Sequence, residues 1–132
     1  EYKKALDQYL AKELVGIWDR QFNSTVLALG AFDRMVILAK KPLRKIEDFN
    51  GIKIRVPSAG AAHLMNALGA KPVQLAFAEI APAMSSGVVD AVLTDAGVAH
   101  GMGFHNIAKS VNVWRSGVVS WAMVVNKDAW AK

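Results

Sequence analysis

The chain of 132 residues contains no cysteine. Disulfides and thiolate metal sites are therefore excluded. The compartment stays open, because periplasmic and cytosolic proteins alike can lack cysteine. Long apolar runs are also missing. The stretch from Val118 to Val125 is short and interrupted by Ser120, well below the roughly 18–20 residues of a membrane span. No leader pattern opens the chain, which starts on Glu1-Tyr2-Lys3-Lys4 inside a helical pattern. A mature or truncated protein reads the same way, so location is not settled by this. Acidic residues are the minority, 11 against 16 Lys and Arg, for a net charge of +5.

The cations are uneven, and Lys40-Lys41-Pro42-Leu43-Arg44-Lys45 is the densest cluster. An electrostatic footprint for nucleic acid or anionic lipid is one reading. The cluster is short, carries no interleaved aromatics and runs into Glu47 and Asp48. It reads instead as a solvated loop between two strands, and no nucleic-acid partner is expected. At 53% hydrophobic and 20% charged, the composition fills a core and is not that of a disordered chain. The length suits about one domain.

Ala5, Leu6, Tyr9, Leu10 and Leu14 follow helical spacing, which predicts an amphipathic helix over residues 2–14. Residues 15–22 read as extended, and 25–30 and 34–40 as strands. Pro42 breaks the chain, and residues 46–50 fit one helical turn. From Gly51 a regular alternation begins. Strands are expected at 52–56, 72–75 and 88–93, and helices over 58–68 and 77–86. Ser58 is placed as N-cap, Gly69 and Gly87 as helix terminators, and Thr94 or Asp95 as the next cap. Later strands are expected at 108–114 and 116–125, and a helix starts near Asp128. Strand–helix units at roughly 20-residue spacing indicate an α/β fold with βαβ crossovers and a largely parallel sheet.

In such sheets ligands sit beyond the carboxyl ends of the strands. The first strand end carries Arg55 and Ser58, the second Phe77 and then Glu79, the third Thr94 and Asp95. A guanidinium fork matches a carboxylate. A capped helix start adds free N–H groups and the positive end of the macrodipole. Arg55 for a carboxylate, Phe77 for a carbon skeleton and Thr94 for an oxygen together suit a small organic acid. Each residue also has an ordinary structural role open to it: surface cation, core aromatic, N-cap pair.

Catalytic constellations fail. Ser58, His63 and Asp90 hold the letters of a triad, but no Gly-x-Ser-x-Gly elbow surrounds the serine. His100 and His105 are five apart with Gly101 and Gly103 between them, against a rigid helical metal pair. Phosphate-binding glycine signatures are absent. No metal, cofactor or enzymatic activity is expected.

The run Asp48-Phe49-Asn50-Gly51-Ile52-Lys53-Ile54-Arg55-Val56-Pro57 resembles a motif of the DctP-type substrate-binding proteins of TRAP transporters. The likeness continues through Leu68-Gly69-Ala70-Lys71-Pro72-Val73, Phe77-Ala78-Glu79-Ile80 and Gly87-Val88-Val89-Asp90. Val124-Val125-Asn126 is similar to the family's late strand. The resemblance implies a periplasmic, type II-like binding protein of two lobes that closes on an organic acid and delivers it to a membrane permease. It implies that Arg55 clamps the ligand carboxylate and Phe77 borders the ligand. The chain departs from the family pattern at Thr94, where the family often has asparagine, and at Asp95, where it often has proline. Met35 falls where a second arginine is common, with Arg34 one step away.

The resemblance also implies a division into residues 1–41, a helix and inter-lobe strands, and residues 42–132, a compact βαβαβ ligand-binding lobe. Family members are about twice as long, so strands 34–40 and 118–125 would carry uncovered apolar faces and self-association is expected. Two other readings stay open on the residues alone. One is the effector-binding domain of a transcription regulator, which shares the sheet logic. The other is an α/β hydrolase or transferase, which no motif here supports.

Overall fold

The computed structural model describes Lys4, residues 11–114 and residues 119–131. Most of the helix expected over 2–14, and the first residues of the strand expected at 116–125, lie outside the described residues. Two compact units emerge, Glu1–Asp33 with Val118–Lys132, and Arg34–Gly117.

In the first unit, helix α1 spans Ala11–Gln21. Residues 15–21 are therefore helical, not extended. Leu14, Trp18 and Phe22 recur every four residues, and the rings of Trp18 and Phe22 stand 4.8 Å apart. That i, i+4 contact outweighs the β-branched Val15 and Ile17, whose cost in a helix is small. Asn23 ends the helix at φ 46°, a left-handed conformation that asparagine tolerates better than most residues. Strand β1 (Ser24–Ala31) then pairs antiparallel with strand β7 (Ser120–Asn126), with an irregularity between Val26 and Ala28. Gly30 lies opposite Trp121. Any side chain there would collide with the indole, so glycine lets the ring lie across the strand. A short helix α5 (Lys127–Trp130) follows, and Asn126 caps it by accepting from the N–H groups of Asp128 and Ala129.

The second unit holds the alternation. Strands β2 (Met35–Ala39), β3 (Lys53–Arg55), β4 (Lys71–Val73), β5 (Ala91–Asp95) and β6 (Ser110–Val113) form one sheet in the order β4-β3-β5-β2-β6. β3 pairs parallel with β4 and with β5, whereas β2 runs antiparallel to β5 and to β6. Four of the five strands thus share one direction, as in a mostly parallel α/β sheet. Helices α2 (Ala59–Ala67), α3 (Ile80–Ser86) and α4 (Ala96–Gly101) connect them. Residues Ile46–Phe49 make the expected helical turn as a 3-10 helix.

Local chemistry sets these boundaries. Ser58 Oγ accepts from Ala61 N at 3.3 Å and opens α2. Gly69 and Gly87 sit at φ 81° and 83° and close α2 and α3. β5 starts at Ala91, three residues later than expected. Val89 N–H still bonds the helical carbonyl of Ala83, and the Asp90 carboxylate takes the Lys53 N–H. Residues 88–90 are thereby a helix exit, although Val88 and Val89 have the composition of a strand.

Both sheet faces are covered. Met35, Ile37, Ile54 and Leu93 pack with Met65 of α2 and with Phe49 on one side. Val36, Leu38 and Val92 pack with Ile80 and Met84 of α3 and with Phe104 on the other. β2 is buried at all five positions, as expected of a strand covered on both faces. That is why its sequence Met-Val-Ile-Leu-Ala is continuously apolar.

Candidate ligand-binding site

The carboxyl ends of β3, β4 and β5 lie side by side at one rim of the sheet of the second unit. Met35, the first residue of the antiparallel β2, reaches the same rim opposite Asp95. The expected site residues are distributed along it in two groups with different roles.

Arg55 and Thr94 form the first group. Arg55 pairs in register with Val92, and alternation along β5 puts Val92 and Thr94 on one face. That is the face of the second core, which contains Val36, Leu38 and Val92. Both polar side chains are buried, Arg55 at 9% exposure and Thr94 at 5%. The guanidinium is poorly satisfied. Its Nη2 donates to Leu75 O at 3.4 Å, and its Nε has no partner among the described residues. No carboxylate pairs with it among the described residues. Burial pushes its pKa down from the ordinary arginine value, yet a guanidinium stays charged at any physiological pH. A buried cation without a counter-charge is costly in a folded chain.

Phe77 packs against the core on the same face of the sheet as this pair. It begins a 3-10 turn (Phe77–Glu79) after β4 and is 42% exposed. Its ring stands 6.2 Å from the buried ring of Phe104, tilted by 51°. Glu79 Oε2 accepts from Ala76 N at 2.8 Å and ties down the turn that presents the phenyl face. Phe104 and the Leu75 carbonyl were not expected at the site. Phe104 follows Gly103, whose φ of 67° turns the chain back toward the sheet. That Gly-Phe step was the available signal.

Ser58 and Asp95 act as helix caps. Ser58 is exposed and spends its oxygen on α2. Asp95 Oδ1 accepts from Val98 N at 2.8 Å and so opens α4. Its negative charge thereby faces the helix start. Replacing Asp95 with asparagine, which caps equally well, is expected to leave thermal stability within about 0.5 kcal/mol of the parent, whereas alanine should cost about 1 kcal/mol. Thermal denaturation of the two variants checks this. Equal losses for both would show that the carboxylate does more than cap.

Met35 is buried in the first core, and the Arg34 carbonyl receives the Ala96 N–H. Among the described residues no group of three or more His, Asp or Glu could hold a metal. His100 and His105 stack at 5.3 Å instead. Among the described residues no helix is long and apolar enough to cross a membrane.

Residues 1–132 match the family model of the bacterial extracellular solute-binding proteins, family 7, the DctP proteins. The chain belongs to this family. The C4-dicarboxylate-binding periplasmic protein DctP of Rhodobacter capsulatus is 30% identical over 131 residues, covering 97% of this chain and 36% of that protein. Among solved structures, a TRAP periplasmic solute-binding protein from Ralstonia eutropha, with bound (S)-2-acetolactate, superposes with a TM-score of 0.85 at 29% identity. It matches 96% of this chain, which covers 41% of its length. A TRAP periplasmic solute-binding protein from Pseudomonas putida, with bound D-glucuronate, gives 0.82 at 26% identity, over 99% of this chain and 44% of its own. The chain thus spans a little over a third to less than half of these DctP-family relatives. It has their periplasmic-binding-protein fold. The relatives are substrate-binding proteins of TRAP transporters, not enzymes, and family members are periplasmic. The effector-domain reading is not favoured by these matches.

Proposed function

We propose that this chain is the Arg55-bearing part of an extracytoplasmic solute-binding protein that captures a small organic acid and delivers it to a TRAP-type membrane importer. One observation carries the reading. Arg55 is buried, its Nε is unpartnered, and no carboxylate of the chain pairs with it among the described residues. A ligand carboxylate supplies the missing partner through paired charge-assisted hydrogen bonds. Phe77 offers a flat apolar face to the carbon skeleton, and the Thr94 hydroxyl offers one donor to a further oxygen. The acids bound by the relatives from Ralstonia and Pseudomonas each carry a carboxylate. Ser58 and Asp95 contribute by fixing the helix starts at the same rim. Delivery follows if the ligand favours a closed form over an open one, because a ligand shifts an equilibrium only by its differential affinity.

A thermal-shift screen of organic acids on the purified protein, each paired with its methyl ester, tests the reading. A ligand at a hundred times its Kd stabilises the native state by about 2.7 kcal/mol. At least one acid should raise the melting temperature in a concentration-dependent way, and its ester should not. Equal shifts from acid and ester would remove the carboxylate clamp from the account.

A further inference from the structure

The opposite rim of the same sheet carries the chain's excess charge, and no ligand role has been given to it. Topology assembles it. β2 ends at this rim with Lys40 and Lys41, and Lys109 donates its N–H to Ala39 just before β6. β3 and β4 start here in register at Lys53 and Lys71. The loop from β2 to β3 adds Arg44 and Lys45. Against these seven cations stand Glu47, Asp48 and Asp90. Asp48 accepts the backbone N–H groups of Arg44 and Lys45, which hold its pKa below the usual carboxylate range. Asp90 accepts from Lys53 N. Lys53 Nζ donates to Gly87 O at 2.7 Å. Among the described residues no carboxylate lies within ion-pair distance of the cationic side chains at this rim. At the ligand rim, by contrast, acidic residues match the cations in number, Glu79 and Asp95 beside Arg34 and Arg55, although neither carboxylate pairs with Arg55.

Two further features belong to the basic rim. Ile46 in the loop is 66% exposed, and Val88, beside Gly87, is 52% exposed. Between the loop and the strand ends lies a cavity of about 300 Å³, with Lys40 and Lys41 beside an apolar wall of Ala39, Leu43 and Ile52. We infer that this rim is a docking surface for an anionic phospholipid bilayer. Six of the seven cations are lysines, solvated point charges that suit a diffuse layer of headgroups. An acidic protein partner fits less well, because lysine is depleted and arginine enriched at protein interfaces. Ile46 and Val88 stand among the cations as apolar tips, able to enter the headgroup–acyl boundary. The surface is separate from the Arg55 rim and does not depend on the proposed ligand.

Sedimentation of the purified protein with vesicles decides it. One set contains equal parts phosphatidylglycerol and phosphatidylcholine, the other phosphatidylcholine alone. Binding is expected to the anionic set at low salt and to be lost at about 0.5 M salt, where screening is nearly complete over a few ångströms. Each lysine near an anionic surface is worth about a fivefold change in partitioning. The double variant Lys41→Gln/Lys109→Gln should therefore bind about 25-fold more weakly. Both side chains are exposed, so the variant's unchanged circular dichroism and melting temperature serve as the folding control. Ile46→Ser should weaken binding further without changing its salt dependence. Equal binding to both vesicle sets, or full binding by the double variant, overturns the proposal. So does salt-sensitive binding to polyglutamate with none to anionic vesicles, which would make the rim a protein-docking face.

Discussion

Arg55→Met should abolish organic-acid binding while leaving the unliganded protein as stable as before, or more so. The two halves of this result have separate causes. A carboxylate held by a buried guanidinium loses about 2–5 kcal/mol when the cation is removed, on the order of 30-fold to several thousand-fold in Kd. Stability moves the other way. The guanidinium is desolvated, its Nε is unsatisfied, and its one hydrogen bond, to Leu75 O, is long at 3.4 Å. Little is lost when that bond goes, and a charge buried without a partner is removed. Methionine has the flexibility to refill the space of the stem. Calorimetric titration with an acid found by thermal shift gives the first half, and thermal denaturation without ligand the second. A protein that loses binding and fold together would show Arg55 to be a structural cation. Unchanged affinity would remove it from the site. Arg55→Lys separates charge from shape: it keeps the cation but lacks the planar fork, so affinity should fall to an intermediate value.

How legible this site was in the sequence depends on which property is asked for. The positions of Arg55, Phe77 and Thr94 at adjacent strand ends follow from the alternation after Gly51. Ser58, Gly69, Gly87 and Asp95 mark the element ends where the structure has them. Their effects are local: a side-chain oxygen three residues from an N–H, or a φ that only glycine takes easily. What could not be read is which neighbours a side chain lacks. Arg55 is informative because nothing among the described residues neutralises it, and that is a property of the packed sheet. Phe104 was missed for the same reason, since its partners come from β2, β5 and α3. The bulky Ile17, Trp18 and Phe22 suit an extended stretch over residues 15–22, whereas in the fold the i, i+4 spacing of Leu14, Trp18 and Phe22 goes with a helix through Gln21. Antiparallel pairing of β2 was equally hidden, since a strand buried on both faces has the same apolar run in either direction. The basic rim combines the two cases. Lys40 to Lys45 is visible as a cluster, but only the strand register adds Lys53, Lys71 and Lys109 to it.

Phe104→Ala should be among the most destabilising single substitutions in the second unit, costing about 3–5 kcal/mol. The side chain is fully buried and is the largest of those with no exposed surface. It lies among Val36, Leu38, Ile80, Met84 and Val92, on the face that also carries Arg55 and Thr94. Gly103 and the 3-10 turn Phe104–Asn106 hold it there, and the Ala108 N–H bonds its carbonyl. The pocket cannot close over the loss easily. One wall is the sheet and another is α3, each fixed by contacts elsewhere, so much of the removed volume stays as a cavity and adds its own cost. Denaturant unfolding measures the effect, and a loss below about 1 kcal/mol would show that the ring is not part of a rigid core. The same substitution tests how the site is built. Phe77 is 42% exposed and rests its ring against Phe104, a pair worth about 0.5–1.5 kcal/mol beyond its area. A double-mutant cycle with Phe77→Ala should recover a coupling of that size. Ligand affinity should fall far less in Phe104→Ala than in Arg55→Met. The phenyl face would be less well positioned, whereas the charge proposed to hold the carboxylate would remain. Stability lost with affinity largely kept, set against affinity lost with stability kept at Arg55, is the contrast expected when one residue builds the wall and the other binds the ligand.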